Sequence, residues 1–121
     1  VAAGDNSSGS GEDCAIKLLA LEQAPTAIFA ANDDMAAGVV RAADKLNIDI
    51  PGQLSVAGFD NISLAQQIYP SLTTIHQPLA AMAERASMAL INNPGNGATL
   101  QGKDVMPAKL VIRESTGPAP R

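Results

Sequence analysis

Thr26-Ala27-Ile28-Phe29-Ala30-Ala31 is apolar at every position after its first and stops at Asn32-Asp33-Asp34, after which apolar residues recur at helical spacing. A run of that kind, bounded by Pro25 and a polar cluster, has no hydrophilic face. It predicts a strand covered on both sides, as in a parallel sheet between helix layers. A second run, Leu54-Ser55-Val56-Ala57-Gly58-Phe59, ends the same way in Asp60-Asn61. Strands alternating with helices of roughly a dozen residues imply an α/β fold, its mainly parallel sheet joined by right-handed crossovers. In such folds ligands settle outside the carboxyl ends of the strands, where loops and helix starts converge. Asn32 and Asp60 both belong at that rim, and on neighbouring strands they stand about 5 Å apart laterally.

The helix after Asn32 is the plainest element. Over 33–46, Ala36, Val39, Val40, Ala43 and Leu46 recur at core-facing spacing, Asn32 or Asp33 is available as cap, and Asn47 suits the end. Val1 to Ala3 reads as a strand end, and Gly4 to Gly11 as a loop whose Ser10 caps a helix reaching Leu21. Further on, Ile50-Pro51-Gly52 turns into strand 54–59, Ser63 to Ile68 reads as a short helix, and Thr73 to Ile75 as a brief strand. A helix from Pro78 to Ile91 is expected to bury Leu79, Met82, Ala83, Ala86 and Leu90. Asn92 to Gly97 is a loop cluster, Lys109 to Arg113 a last strand, and Gly117 to Arg121 a Pro-rich tail with no core to join.

With 121 residues the chain is one domain or a piece of one. It lacks any apolar run long enough for a membrane span. Twelve acidic residues against eight basic ones leave a net charge of -4 and no Lys/Arg cluster, so the chain is not expected to bind DNA by itself. The lone Cys14 excludes an internal disulfide and offers no metal spacing, and no cofactor is expected. The start at Val1, without Met and without a secretory pattern, suggests a piece of a longer protein.

Asp60 is the leading candidate for ligand contact, because one carboxylate accepts from two adjacent hydroxyls at once, as vicinal diols require. An Asp in such a turn also commonly bonds its own backbone. Asn32 offers a donor and an acceptor to a hydroxyl, or a cap to the helix. Phe29 can lend a ring face to a sugar, though an aromatic in a buried strand is more often core. His76, the only His, lacks a neighbouring nucleophile motif and reads as structural. Asp33, Asp34 and Asp60 together also suggest a phosphoacceptor receiver. That chemistry wants a Lys at the end of a later strand, where this chain has His76-Gln77 and Arg113-Glu114.

Four ordered motifs, PTAIFAANDDMAAGVVRAAD, IPGQLSVAGFDNI, PSLTTIHQP and KLVIREST, resemble the lactose repressor (LacI/GalR) family of bacterial transcription regulators, over about Gly4 to Thr116. The resemblance implies a partial periplasmic-binding-protein-like type I fold, with 1–75 and 109–116 in the carboxyl-terminal lobe and 78–106 packing with the amino-terminal lobe. It implies that the central first strand of the carboxyl-terminal lobe lies outside the chain, leaving strand edges that favour a homodimer or higher oligomer. It further implies ligand contact at Asn32, Asp60 and Gln77, and a dimer interface drawing on Ala36, Ala37, Val40 and Ile68. The implied ligand is a sugar-like effector, and DNA is reached only through an amino-terminal helix-turn-helix that this sequence lacks. The family setting is cytoplasmic and non-enzymatic. The alternative on the same fold is a periplasmic sugar-binding protein of an ABC-type transporter.

Overall fold

The helix of residues 33–45 organises the structure. The computed structural model describes residues 1–92 and 105–120. In chain order the elements are α1 (Ser8–Leu19), β1 (Ala27–Phe29), α2 (Asp33–Lys45), β2 (Ser55–Ala57), α3 (Leu64–Gln67), β3 (Thr74–His76), α4 (Leu79–Ile91) and β4 (Lys109–Val111). The chain divides into two compact units, Val1–His76 with Leu110–Arg121, and Gln77–Lys109.

In the first unit α2 is anchored at both ends by local chemistry. Asn32 caps its start, the side-chain oxygen accepting from Met35 N at 2.8 Å. Asn47 closes it at φ 54, the left-handed geometry that Asn tolerates, with Ile48 N bonding back to Ala43 O. Along the helix Met35, Ala36, Val39, Ala42 and Ala43 are buried. They join Leu54, Val56, Ala65 and Leu72 in one core cluster. Full burial of Leu54, Val56 and Leu72 contributes about 1.5–3 kcal/mol each. Ala36, expected at an interface, has no exposed surface, while Ala37, Val40 and Ile68 are half-buried.

Helix α1 begins three residues earlier than its apolar pattern indicates. Its cap is Ser7 rather than Ser10, with Ser7 Oγ accepting from Ser10 N at 3.1 Å and Asp5 holding Ser7 N at 2.9 Å. The helix therefore includes Gly9 and Gly11. Gly11 is where α1 meets α2: a Cβ there would overlap the Met35 carbonyl oxygen and lie 2.7 Å from Met35 Cα. Gly38 makes the reciprocal contact on α2, where a Cβ would overlap Ser8 O and lie 2.6 Å from Glu12 N. Backbone touches backbone, which explains why small residues dominate this interface. Outside the contact, Glu12 pairs with Arg41 at 2.9 Å and with Lys45.

β1 and β2 pair in parallel with Ala27, Ile28 and Phe29 opposite Ser55, Val56 and Ala57. Beyond β2 the ladder shifts to the next segment through parallel bridges Ala57 to Thr73 and Asp60 to His76, and β3 pairs with β4. Ser115, fully buried, ties these strands together by donating to Val56 O at 2.6 Å and accepting from Thr73 N at 2.8 Å. The mainly parallel sheet is thus present.

Three expectations are corrected. β1 is not covered on both faces, because Ala27 and Phe29 are exposed and only Ile28 turns inward. Its one strand neighbour among the described residues is β2, and a continuous apolar strand stays exposed when no second layer or strand closes over it. Val1–Ala3 form no strand. In the second unit, α4 starts after Pro78 as expected, yet none of its residues is buried, and Leu79, Met82, Leu90 and Ile91 are all exposed. Its apolar periodicity is real, but no layer covers it within the unit. Residues 93–97 of the expected loop lie outside the described residues. No helix among the described residues is long and apolar enough to cross a membrane.

Candidate functional site

The parallel register of β1 and β2 places Asn32 three residues beyond Phe29 and Asp60 three residues beyond Ala57, at the carboxyl ends of adjacent strands. β3 ends beside them at His76, bridged to Asp60. Asp60, Asn61 and His76 therefore meet at the end of one strand, with Asn32 at the matching end of the strand beside it.

Asn32 already has structural work. Besides the cap, its Nδ2 donates to Asn6 O at 3.0 Å, so these two bonds use one of its two N–H groups and one oxygen lone pair. The cap reading and the ligand reading remain compatible through the other N–H.

Asp60 and Asn61 both adopt positive φ, 112° and 58°. Consecutive left-handed non-glycine residues cost of order 1–3 kcal/mol each and persist only when their surroundings enforce them. The enforcing contacts are present. Asp60 N donates to Ile75 O at 2.9 Å, and Asn61 N to Thr74 Oγ1 at 3.4 Å. Asn61 Oδ1 accepts from Arg113 Nη2 at 2.7 Å, while the other guanidinium nitrogen donates to Leu72 O at 2.6 Å. With Oδ1 so fixed, Asn61 Nδ2 faces His76 Nδ1 at 3.3 Å, and the amide nitrogen can only donate there. His76 is thereby tied to the turn.

Beneath the turn lies Asp33, fully buried, which accepts from Thr74 Oγ1 at 2.5 Å and from Ile62 N at 2.9 Å. The sequence offers Asp33 as a helix cap or a receiver-like acid and gives no site role to Thr74, Arg113 or Ser115. Their partners lie 41, 52 and 59 residues away in sequence, distances at which periodicity carries no signal. The one local hint is Gly58: a Cβ there would overlap Asp33 Oδ1 and sit 2.9 Å from Leu72 Cδ2.

Phe29 stands 64% exposed and meets Phe59 edge-to-face, ring centroids 6.5 Å apart at 89°. It is a surface aromatic, not a core one. It also lines an apolar pocket of about 520 Å³ with Val1, Cys14, Leu18, Ile28 and Met35, whose walls do not include Asn32 or Asp60. Gln77 opens the second unit, its carbonyl accepting from Leu79 N at 2.9 Å. No group of three or more His, Cys, Asp or Glu among the described residues is placed to hold a metal ion.

Such a rim suits hydroxyl recognition, with an amide and a carboxylate beyond the ends of adjacent strands. Comparison with known proteins gives this geometry a family. The family described as "Periplasmic binding protein-like domain" matches residues 1–116. The HTH-type transcriptional regulator DegA of Bacillus subtilis is 46% identical over 110 residues, covering 90% of this chain and 32% of its own length. The chain thus spans about a third of the curated relatives it matches. Among solved structures, a LacI family transcriptional regulator from Enterococcus faecium with bound ribose is 30% identical with a TM-score of 0.80, covering 98% of this chain and 42% of that one. The lac repressor dimer bound to operator and an anti-inducer is 31% identical with a TM-score of 0.83, covering 93% of this chain and 39% of that one. Matched along almost its whole length, the chain belongs to the periplasmic binding protein-like family, in the form carried by LacI-type transcription regulators.

Proposed function

We propose that the chain is the effector-reading part of a bacterial LacI-type transcription regulator, and that it binds a sugar-like polyol at the carboxyl ends of β1 and β2. The observation that carries this reading is the shared register, which sets Asn32 and Asp60 at equivalent positions beyond adjacent parallel strands. Asp60 accepts from vicinal hydroxyls, Asn32 contributes its remaining N–H, and exposed Phe29 offers a ring face. Gln77 supplies a further polar contact where the chain leaves the first unit.

In this reading residues 1–75 and 109–116 form the core of one lobe, and 78–106 belong with a lobe built mostly from chain outside this sequence. The uncovered apolar side chains of α4 support that division. Ligand held between lobes favours one hinge state by its differential affinity and so shifts the DNA affinity of a helix-turn-helix module outside this chain. The protein acts by binding and not by turnover, and works in the cytoplasm as a homodimer or higher oligomer. Ala37, Val40 and Ile68, half-buried on α2 and after α3, contribute to the subunit contact. The regulator names of the relatives favour this over delivery to a transporter.

The test is thermal unfolding of the chain with D-ribose, D-galactose, sucrose and cellobiose. A ligand at a hundredfold its Kd adds about 2.7 kcal/mol. At least one sugar raises the midpoint, and Asp60→Ala removes the rise. A rise that persists in Asp60→Ala moves the site elsewhere.

A further inference from the structure

Asp33 is buried completely yet is not itself at the strand rim, and its carboxylate faces inward on the turn that carries Asp60. We propose that Asp33 is the positioning residue of the effector site, setting the Asp60–Asn61 turn from below while Arg113 sets it from the side. This rests on the polyol reading of Asp60 and names what holds that residue in place.

Two consecutive left-handed residues need external enforcement, and the ties converge on few atoms. One Asp33 oxygen accepts the Ile62 amide, the first N–H after the strained pair, at 2.9 Å. The other accepts the Thr74 hydroxyl at 2.5 Å, and that same hydroxyl oxygen accepts Asn61 N at 3.4 Å. A single carboxylate thus grips the turn directly at Ile62 and indirectly at Asn61. Because Asp33 is also the first residue of α2, next to the capping Asn32, it fixes the helix start and the Asp60 turn to one another. The two candidate ligand contacts therefore share one anchor. Gly58 is part of the same device, since any Cβ there would take the space of Asp33 Oδ1. From the opposite flank Arg113 spans Asn61 Oδ1 and Leu72 O, which stops the Asn61 side chain from rotating with the backbone.

The chemistry needs both carboxylate oxygens as acceptors. Asn at this position keeps nearly the same volume but puts an NH₂ against either the Ile62 amide or the Thr74 hydroxyl. The Ile62 contact then becomes donor against donor, or the Thr74 hydroxyl loses its acceptor and must turn its proton away from residue 33, which loosens the tie through which it holds Asn61.

The experiment compares wild type, Asp33→Asn and Asp34→Asn, the last an exposed acid in the same helical turn, as the 121-residue chain. Amide hydrogen exchange is read by NMR, and D-ribose, D-galactose, sucrose and cellobiose are each titrated. In Asp33→Asn the Ile62 and Asn61 amides are expected to exchange at least about tenfold faster while Val39 and Ala42 in α2 stay protected, and affinity for the bound sugar falls at least about tenfold. Asp34→Asn is expected to change neither. Gly58→Ala, which displaces the carboxylate without altering its charge, reproduces both effects. Unchanged Ile62 exchange in Asp33→Asn overturns the anchor. Faster exchange with full sugar affinity overturns its coupling to the site. A wild type that binds none of the four sugars sinks the polyol reading itself, an outcome distinct from both.

Discussion

Replacing Gly38 by Ala tests the helix contact that shapes the first unit. Two effects oppose one another. Ala is the better helix former by about 0.8–1 kcal/mol in a helix interior. Against this, the new Cβ would overlap Ser8 O and lie 2.6 Å from Glu12 N and 3.0 Å from Ser8 C. All three obstructing atoms are backbone, so no side-chain rotation relieves them and α1 must lift from α2. Overpacking costs typically 1–3 kcal/mol, and an immovable obstacle puts this site near the upper end, about 3. The net loss is about 2 kcal/mol, which at about 4 °C per kcal/mol for a chain of this size lowers the unfolding midpoint by about 8 °C. Gly9→Ala is the matched control. Gly9 lies in α1 and is exposed, and a Cβ there meets only Ser7 Oγ, at 3.9 Å. Relief of the glycine penalty near a helix start adds about 0.5 kcal/mol, so the midpoint rises by about 2 °C. Thermal unfolding followed by circular dichroism at 222 nm reads both variants. Opposite signs for the same Gly→Ala change support backbone contact between the helices, whereas a Gly38→Ala variant as stable as wild type refutes it.

Other perturbations give separable outcomes. Ser115→Ala leaves the buried Thr73 N–H without its side-chain acceptor, at a cost of about 1–3 kcal/mol, measurable by urea denaturation; a loss under about 0.5 would show the bridge to be dispensable. Asn32→Ala removes a helix cap and loses about 1 kcal/mol, while Asn32→Ser restores the cap acceptor and recovers most of that stability without restoring sugar binding; recovery of both would assign Asn32 to capping alone. Among the described residues, three carboxyls are held below their ordinary range in the folded chain. The Ser7 hydroxyl, then that of Ser10, brings Asp5 down to about 2 from 3.8; the Lys45 ammonium bonded to Glu12 lowers Glu12; and the Ser71 amide, followed by its hydroxyl, lowers Glu114. Folded-state depression means that the stabilisation is complete above the ordinary carboxylate range and drains away as pH falls from about 4.5 towards 2. Urea midpoints should decline over that window, and a midpoint that climbs on acidification contradicts the assignments.

The periodic elements were legible in the residues themselves. The helix from Asp33 is set by local chemistry alone, with Asn32 accepting at its start, apolar residues along one face and Asn47 able to turn left-handed at its end. The two apolar runs ending in Asn32 and Asp60 likewise announced parallel strands, because apolar runs bounded by polar strand ends leave compositional marks. The start of α1 lies earlier than its apolar pattern, since two glycines mask the helix and the reason for Gly11 is the Met35 backbone, 24 positions away in sequence.

What surrounds each element was not legible. An apolar stripe states that a residue prefers burial, not that anything arrives to bury it: the stripe of α4 and the outer face of β1 carry the pattern and remain exposed. The polar network at the rim is the opposite case. Asp33, Thr74, Asn61 and Arg113 look unremarkable one by one, and become an anchor only when three distant segments meet around Gly58. Local hydrogen bonding and periodicity are short-range and can be read along a chain, whereas the satisfaction of a buried carboxylate depends on which backbone amides the fold delivers to it.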